Sequence, residues 1–164
     1  MANRQTNLHL SLAEGQQGNA YQGSIGGQAM IETYRGVVRP HQLDHMGHMN
    51  VQWYTAVFDE ATWHLFSLLG LTNSYFKSEM RGMAAMEQNT KYIAEVMAGD
   101  LLVCLSKVNA VENKVLKFEH HMVNAETGTL VATTNLVAAH LDREIRKACP
   151  FPDFVAEKFA ELAD

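Results

Sequence analysis

The chain has 164 residues, a length typical of one domain, and its 47% hydrophobic content argues against wholesale disorder. With 13 Lys and Arg against 18 Asp and Glu, the formal net charge is −5, which argues against a protein held to nucleic acid mainly by phosphate neutralisation. The two cysteines, Cys104 and Cys149, form no CxxC pair and predict neither a disulfide framework nor a thiolate zinc site.

Residues 1–29 are rich in Gln, Gly, Asn and Ser and carry only isolated apolar residues. Such a segment buries too little apolar area to offset the entropy of ordering it, so we predict a mobile or peripheral extension. It lacks the apolar core of a secretory signal, and no apolar run in the chain reaches the roughly 20 residues that cross a bilayer. We therefore expect one cytoplasmic domain over residues 30–164, with no membrane and no nucleic-acid partner.

A strand, a loop and a long helix open this domain. Residues 31–39 have the apolar pattern of a strand, which Pro40 ends. After a polar loop over residues 41–50, residues 51–69 are apolar on nearly all sides and stop before Gly70. A helix that is apolar all round is typical of a buried helix wrapped by a larger element.

Four strand-like segments follow, separated by short turn signals, at residues 83–97, 101–112, 115–125 and 129–142. Three consecutive tight connections predict an antiparallel meander. Residues 150–162 have the pattern of a short terminal helix. The order of elements predicts an α+β domain in which one antiparallel sheet curls around the long helix.

The loop before the long helix carries the unusual chemistry. Asn50 suits the N-cap, which would leave the amides of Val51 to Trp53 free to stabilise negative charge on a thioester or ester oxygen. Asp44, with Gly47 allowing a tight turn, then acts as general base on water or attacks the acyl carbon itself. The alternative is that Asp44 and Asn50 serve only as turn and cap residues.

Three loop histidines raise the question of a metal. His41, His45 and His48 lie beside Asp44, and imidazole with carboxylate suits zinc or iron. The loop lacks the helical spacing of HExxH, however, and no distant fourth ligand is evident. We therefore predict no required metal and no cofactor.

Two charged groups allow more than one interpretation. Asp59 and Glu60 lie within the long helix, where they either contact solvent or a neighbouring subunit, or supply a second acid or base near the substrate carbonyl. Glu60 and His64 are one turn apart and can pair. A basic cluster follows the last long strand and consists of Arg143, Arg146 and Lys147. This basic cluster is either a solvated edge or a phosphate-binding site.

Several of these residues together resemble a known family. The stretch from Asp44 to Asn50, followed by Tyr54 and by Phe58-Asp59-Glu60-Ala61, resembles the hotdog-fold acyl-CoA thioesterases of the 4-hydroxybenzoyl-CoA thioesterase type. Tyr92 and the later Gly99-Asp100 resemble the family's second-strand tyrosine and the Gly-Asp that begins its third strand. The resemblance covers residues 31–142.

This resemblance implies a hotdog fold and hydrolysis of an acyl-CoA to free acid and CoA, with CoA as part of the substrate. By position, Asp44 corresponds to the nucleophile or general base, and the Val51 amide would polarise the thioester carbonyl. His48 and Asn50 would shape the loop and position water, and Glu60 is the alternative carboxylate.

The family also implies substrate contacts and an assembly. Tyr54 belongs to the matched substrate-binding motif, and Arg143, Arg146 and Lys147 are candidates for holding the CoA phosphates. Subunits of the family pair sheet to sheet and place active sites at the interface, so we expect a homodimer or a homotetramer.

Two rival functions remain. Hotdog dehydratases and hydratases carry a motif resembling Asp-x-Asn-Pro-x-His, whereas here His48 precedes Asn50 and no proline lies between Asp44 and the helix. A non-catalytic acyl-CoA-binding module is the other rival, and the presence of Asp44 argues against it.

Overall fold

The computed structural model of the protein describes residues His9–Ser11, Gln22–Ile25 and 28–163. Within these ranges, the elements follow one another as β1 (His9–Ser11), β2 (Gln22–Ile25), β3 (Gln28–Val37), α1 (Val51–Leu68), α2 (Asn73–Ser78), β4 (Arg81–Tyr92), β5 (Leu101–Glu112), β6 (Val115–Asn124), β7 (Leu130–Asp142), β8 (Lys147–Ala148) and α3 (Asp153–Ala163).

All the strands belong to one antiparallel sheet in the order β1-β2-β3-β5-β6-β7-β4, with β8 added beside β7. The sheet curls around α1, as the sequence predicts. The bounds of α1 follow from local signals, since the Asn50 side chain accepts a hydrogen bond from the Gln52 amide and Gly70 follows the helix with φ of 79°. The α+β fold class is therefore confirmed.

The predicted four-strand meander is wrong in one connection. β5, β6 and β7 form consecutive antiparallel pairs, but β4 pairs with β7 at the end of the sheet, while β5 pairs with β3. Residues 93–100 cross from β4 to β5 instead of forming a hairpin, because Val96 O accepts from the Met49 amide at 2.8 Å and Asp100 O from the Val38 amide at 2.9 Å. These bonds hold the crossing segment against the start of α1.

The expectation that α1 is buried on all sides is wrong for a single chain. The sheet covers one face, on which Phe58 is 1% exposed and both Ala61 and Leu65 are 0% exposed. On the opposite face, Trp63 is 53% exposed, and both Asp59 and Glu60 are exposed. An apolar composition predicts that a helix face is covered, but it does not tell whether the cover comes from the same chain.

A buried polar chain ties α1 to the sheet. His120, which is 0% exposed, bonds through Nε2 to the Thr62 hydroxyl of α1 at 2.9 Å and through Nδ1 to Ser106 Oγ at 2.5 Å. Ser106 Oγ is in turn 2.5 Å from Thr33 Oγ1. Burial lowers the pKa of His120 to about 3, so the imidazole is neutral and serves as a link in the core.

Two smaller features complete the fold. The short helix α2, which the sequence analysis did not predict, begins after Thr72, whose hydroxyl accepts from the Tyr75 amide at 3.2 Å. Within residues 1–29, β1 and β2 extend the sheet beyond β3, and the remaining residues of 1–27 lie outside the described residues, so the mobility of this extension stays a prediction. Among the helices of the described part, none combines the length and apolar content needed to cross a bilayer.

Candidate active site

The loop over residues 44–49 closes on itself and fixes the Asp44 carboxylate. The Asp44 amide donates to His48 O at 2.9 Å, and the Gly47 amide donates to Asp44 O at 3.0 Å. Gly47 has φ of 81°, a left-handed conformation that favours glycine. Asp44 Oδ1 accepts from the Met46 amide at 2.8 Å, whereas Oδ2 has no hydrogen-bond partner among the described residues. One carboxylate oxygen is therefore anchored and the other is free to meet a substrate or a water.

The start of α1 offers one amide rather than three. The predicted N-cap is confirmed, but the cap itself engages the Gln52 amide, which donates to Asn50 Oδ1 at 3.0 Å. The Trp53 amide donates to Asn50 O at 2.9 Å. The prediction that Gln52 and Trp53 offer free amides is therefore wrong, and within the described chain only the Val51 amide of this first turn lacks an acceptor.

The residues that carry the unpaired amide and the carboxylate line the same cleft. Both Asp44 and Val51 line an open cleft of about 260 Å³ at the N-terminus of α1, together with His48, Met49, Tyr54, Tyr92, Ile93, Ala94 and Glu95. Four predicted site residues, Asp44, His48, Val51 and Tyr54, thus lie around one cleft, while Asn50 caps the helix beside it. The cleft thus combines a carboxylate with a backbone amide that has no acceptor among the described residues.

His48 has a partner that the sequence does not indicate. Its Nε2 lies 3.2 Å from Glu95 Oε2, and Glu95 belongs to the crossing segment of residues 93–100. The Glu95 side chain is 73% exposed, so the pair lies at the mouth of the cleft. No motif in the sequence points to Glu95, because its position depends on how the crossing segment packs against the loop.

Two tyrosines form one wall of the cleft. The rings of Tyr54 and Tyr92 meet edge to face with centroids 5.2 Å apart, and the Tyr54 hydroxyl donates to Ala94 O at 3.5 Å. Tyr54 is 4% exposed, and burial, followed by the nearby Tyr92 and Glu95, raises its pKa. Tyr54 therefore remains a neutral donor near pH 7, and Tyr92, which is 51% exposed, presents its ring to the cleft.

Within a single chain, Glu60 does not line the cleft that contains Asp44. It lies on the exposed face of α1 and outside the cleft, and within the described part of the chain it forms no ion pair with His64. Its charge acts on Tyr34, whose pKa is raised by burial first and by Glu60 second. Its neighbour Asp59 lines a second groove of about 160 Å³, between α1 and strands β4, β6 and β7, which no motif in the sequence indicates.

The basic cluster also lies away from the cleft. Arg143, Arg146 and Lys147 follow β7 and are exposed. Arg81 at the start of β4 pairs with Asp142, whereas Tyr92 at the other end of β4 lines the cleft. Eleven steps of about 3.3 Å separate the two ends of β4 by at most roughly 35 Å, and the cluster lies at the end away from the cleft.

The loop histidines do not assemble a metal site. Over the described ranges, no three His, Cys, Asp or Glu side chains converge in a way that could hold an ion. His41 instead packs edge to face on Trp53 with ring centroids 5.4 Å apart, and His48 pairs with Glu95. The described lining of the cleft therefore brings together a carboxylate, a backbone amide and an imidazole.

Comparisons with known proteins identify relatives of this chain. Residues 38–159 match the sequence model of the thioesterase-like superfamily. A betainyl-CoA thioesterase of Pseudomonas aeruginosa is 22% identical over 135 residues, covering 82% of this chain and 85% of that protein. An L-carnitine dehydrogenase/betainyl-CoA thioesterase of Agrobacterium fabrum is 26% identical over 133 residues, covering 81% of this chain, which spans only 27% of that longer protein.

A solved structure supports the fold. The structure of a Staphylococcus aureus protein in complex with CoA has a TM-score of 0.76 to this chain at 20% identity, covering 80% of this chain and 84% of the other. The match of the superfamily model to most of the chain and the curled sheet around α1 lead to the same result. This chain belongs to the thioesterase-like superfamily, and it is a thioester hydrolase of the hotdog fold.

Proposed function

We propose that the protein hydrolyses an acyl-CoA, with Asp44 as the nucleophile or general base and the Val51 amide as the oxyanion donor. The observation that carries this proposal is that Asp44, whose Oδ2 has no partner among the described residues, and Val51, whose amide has no acceptor there, both line the same cleft. The CoA part of the proposal is supported by the CoA-bound Staphylococcus aureus structure and by the names of the relatives.

Two routes share this geometry. In the first, Asp44 Oδ2 attacks the thioester carbon, and the tetrahedral oxyanion accepts a hydrogen bond from the Val51 amide. The C–S bond then breaks, CoA leaves as a thiolate that takes a proton from water, and a second water hydrolyses the mixed anhydride to the free acid. In the second, Asp44 removes a proton from water as that water attacks the same carbon; the tetrahedral intermediate then breaks its C–S bond, and the leaving CoA thiolate takes the proton back from Asp44. The His48–Glu95 pair borders the cleft where this water enters.

The Asp44→Asn variant tests the role of the carboxylate. Asn keeps the turn but removes both the nucleophile and the base, so kcat should fall by at least about 100-fold, the lower end of typical acid–base contributions. Glu60→Gln is the matched control, because Glu60 lies outside the cleft. A Glu60→Gln variant that loses turnover while Asp44→Asn keeps it would assign the reaction to the helix carboxylate.

The lining of the cleft suits a substrate with a small, positively charged acyl group. The described lining contains two carboxylates, Asp44 and Glu95, and two tyrosine rings, but no Lys or Arg. Aromatic faces and carboxylates stabilise a quaternary ammonium group, and the Pseudomonas aeruginosa relative is named a betainyl-CoA thioesterase. Betainyl-CoA is therefore the candidate substrate that we favour.

An isosteric pair of substrates tests this choice. In 3,3-dimethylbutanoyl-CoA, a carbon replaces the ammonium nitrogen, so shape is kept and charge is lost. We expect kcat/KM to be roughly 3- to 30-fold higher for betainyl-CoA, and Tyr92→Leu to remove most of that preference. Equal kcat/KM for the two thioesters would refute a cation-selective cleft.

The rival functions have separate readouts. A hydratase or dehydratase would change the acyl chain without releasing a free thiol, and a binding module would bind acyl-CoA without turnover.

The assembly proposed with the hydrolase is a homodimer or a homotetramer. Its proposed compartment is the cytoplasm, whose reducing conditions suit two unpaired cysteines.

A further inference from the structure

Attack by Asp44 on the thioester leaves the second half of the reaction without a base. While the acyl group is bound to Oδ2, the Asp44 carboxylate is part of an anhydride and cannot take a proton from the second water. Two other side chains of the described cleft lining, His48 and Glu95, belong to the classes that serve as general bases. Hydrolysis of the anhydride in this cleft therefore depends on one or both of them.

His48 lies beside Asp44 because of the way the loop closes. Leu43 and Met49 form an isolated antiparallel bridge. The Asp44 amide donates to His48 O at 2.9 Å, which makes these two residues the next opposed pair of a short ribbon. The Cβ atoms of such a pair lie about 4.5–5.5 Å apart on one face. Met49 is buried on the other face, so the Asp44 and His48 side chains lie together on the side of the cleft.

Glu95 reaches His48 from a fixed stretch of backbone. Its Oε2 lies 3.2 Å from His48 Nε2, although the Glu95 side chain is largely exposed. On one side of Glu95, the Ala94 amide donates to a β7 carbonyl at 3.1 Å. On the other side, Val96 is 0% exposed, and its carbonyl accepts from the Met49 amide at 2.8 Å. The crossing segment thus holds the carboxylate in reach of the imidazole.

The contact with Glu95 determines which nitrogen of His48 can accept a proton. A neutral imidazole has one N–H and one acceptor nitrogen, and a carboxylate beside Nε2 favours the N–H at that position. Nδ1 is then the acceptor, and within the described part of the chain it forms no hydrogen bond. The same carboxylate stabilises the imidazolium that forms when Nδ1 takes up a proton.

We propose that His48 is the general base that hydrolyses the acyl-Asp44 anhydride and that Glu95 is the positioning residue that acts through it. His48 Nδ1 takes one proton from the second water as the oxygen of that water bonds to the acyl carbon. The anhydride C–O bond then breaks, its electron pair returns to Asp44, and the free acid leaves. The imidazolium finally gives its proton to the solvent. This inference rests on the proposed function and assigns it to the first of its two routes, in which Asp44 attacks.

The His48→Gln variant separates the two halves of the reaction. It leaves the attack by Asp44 intact and slows only the loss of the acyl group. Rapid mixing with the acyl-CoA that the parent hydrolyses fastest, betainyl-CoA by the proposal above, should release a burst of about one CoA thiol per active site. The first turnover should stay within about 3-fold of the parental rate, and the steady-state kcat should fall at least about 100-fold. Glu126→Gln, an exposed carboxylate in the turn between β6 and β7, is the control and should change neither phase.

A second nucleophile identifies the species that accumulates. Hydroxylamine attacks an anhydride without the help of a general base, so it should raise the steady-state thiol release of His48→Gln at least about 10-fold and yield the acyl hydroxamate. A reaction without enzyme corrects for direct attack on the thioester. Asp44→Asn should show neither the burst nor the rescue.

A double variant tests whether Glu95 acts through His48. Glu95→Gln alone keeps the shape, removes the charge from a side chain that is largely exposed, and should lower the kcat at saturating substrate roughly 10-fold, with a burst. In the His48→Gln background, the same change should alter kcat by less than about 2-fold, because two residues that act as one unit are not additive.

Three outcomes are distinct. If His48→Gln slows the first turnover and the steady state by the same factor, the assignment of the base is wrong, while the loss of activity in Asp44→Asn still supports the proposed hydrolase. If Glu95→Gln lowers kcat equally with and without His48, Glu95 does not act through the imidazole. A parent that releases no thiol from any acyl-CoA contradicts the proposed function itself.

Discussion

Asn50 links the stability of α1 to the chemistry at its first amide. Its side chain caps the helix by accepting from the Gln52 amide, and its own amide donates to Gln42 O at 2.9 Å. The next residue, Val51, supplies the proposed oxyanion donor. Two substitutions separate these roles: Asn50→Ala removes the cap, while Asn50→Asp keeps the cap and places a negative charge beside the developing oxyanion.

The two variants should lose different properties: Asn50→Ala should lose stability, and Asn50→Asp should lose activity. Loss of the cap in Asn50→Ala should cost about 1 kcal/mol of unfolding free energy, or roughly 2–4 °C in Tm for a chain of this size. Asn50→Asp should keep the parental Tm, because Asp caps as well as Asn and a negative charge suits a helix N-terminus. An anion on the order of 6 Å from the oxyanion costs about 1–3 kcal/mol at effective dielectric constants between those of protein and water. The kcat of Asn50→Asp should therefore fall roughly 5- to 150-fold.

Thermal unfolding and steady-state release of CoA thiol measure the two effects side by side. The expected pattern is a less stable Asn50→Ala with more activity than a fully stable Asn50→Asp. If Asn50→Asp hydrolyses the substrate at the parental rate, then no negative charge develops near the Val51 amide, and the oxyanion site lies elsewhere.

Two further predictions concern the core and the loop. Because His120 is buried in its neutral form, the free energy of unfolding should fall as the pH is lowered. Its folded pKa of about 3 lies below the unfolded value near 6.5, so its contribution to stability is full above pH 6.5. That contribution is lost as the pH falls toward 3, at up to about 1.4 kcal/mol per pH unit. Urea unfolding at pH 7 and pH 5 should show a smaller difference for His120→Asn than for the parent. Gly47→Ala should lower unfolding free energy by about 1 kcal/mol through its φ of 81° alone, since nothing lies within 4 Å of the added Cβ. Gly47→Asn, which tolerates that φ, should be closer to the parent by the same unfolding measurement.

Local signals made α1 and its cap predictable. Asn50 before an apolar run and Gly70 after it mark the ends of a helix whatever the rest of the chain does, and the structure ends α1 at Leu68. The same signals place Asp44 and Val51 near the start of the helix, because both positions are counted from Asn50, while their catalytic roles stay predictions. The number of free amides was wrong since the sequence does not say which donors the cap itself consumes.

Long-range pairing was not predictable in the same way. The turn signal at Gly99, whose φ is 97°, shows that the chain bends but not which strand the next one joins. The pairing of β4 with β7 and the contact of Glu95 with His48 both depend on the path of residues 93–100 over the start of α1. The exposed face of α1 was not predictable for the same reason. The sequence shows that Trp63 is apolar, but it does not show whether any cover for this side chain lies in this chain or in another.

The strands before β3 have a consequence for how far the protein can assemble. A sheet with two open edges behaves like a bifunctional monomer in a polymerisation, since each added copy exposes a new end for the next one. β2 occupies the β3 edge, and outside it β1 pairs along only three residues, His9–Ser11. Among the described strands, β2 therefore withholds the β3 edge from a second chain, and β4 is left as the long edge with unpaired backbone groups.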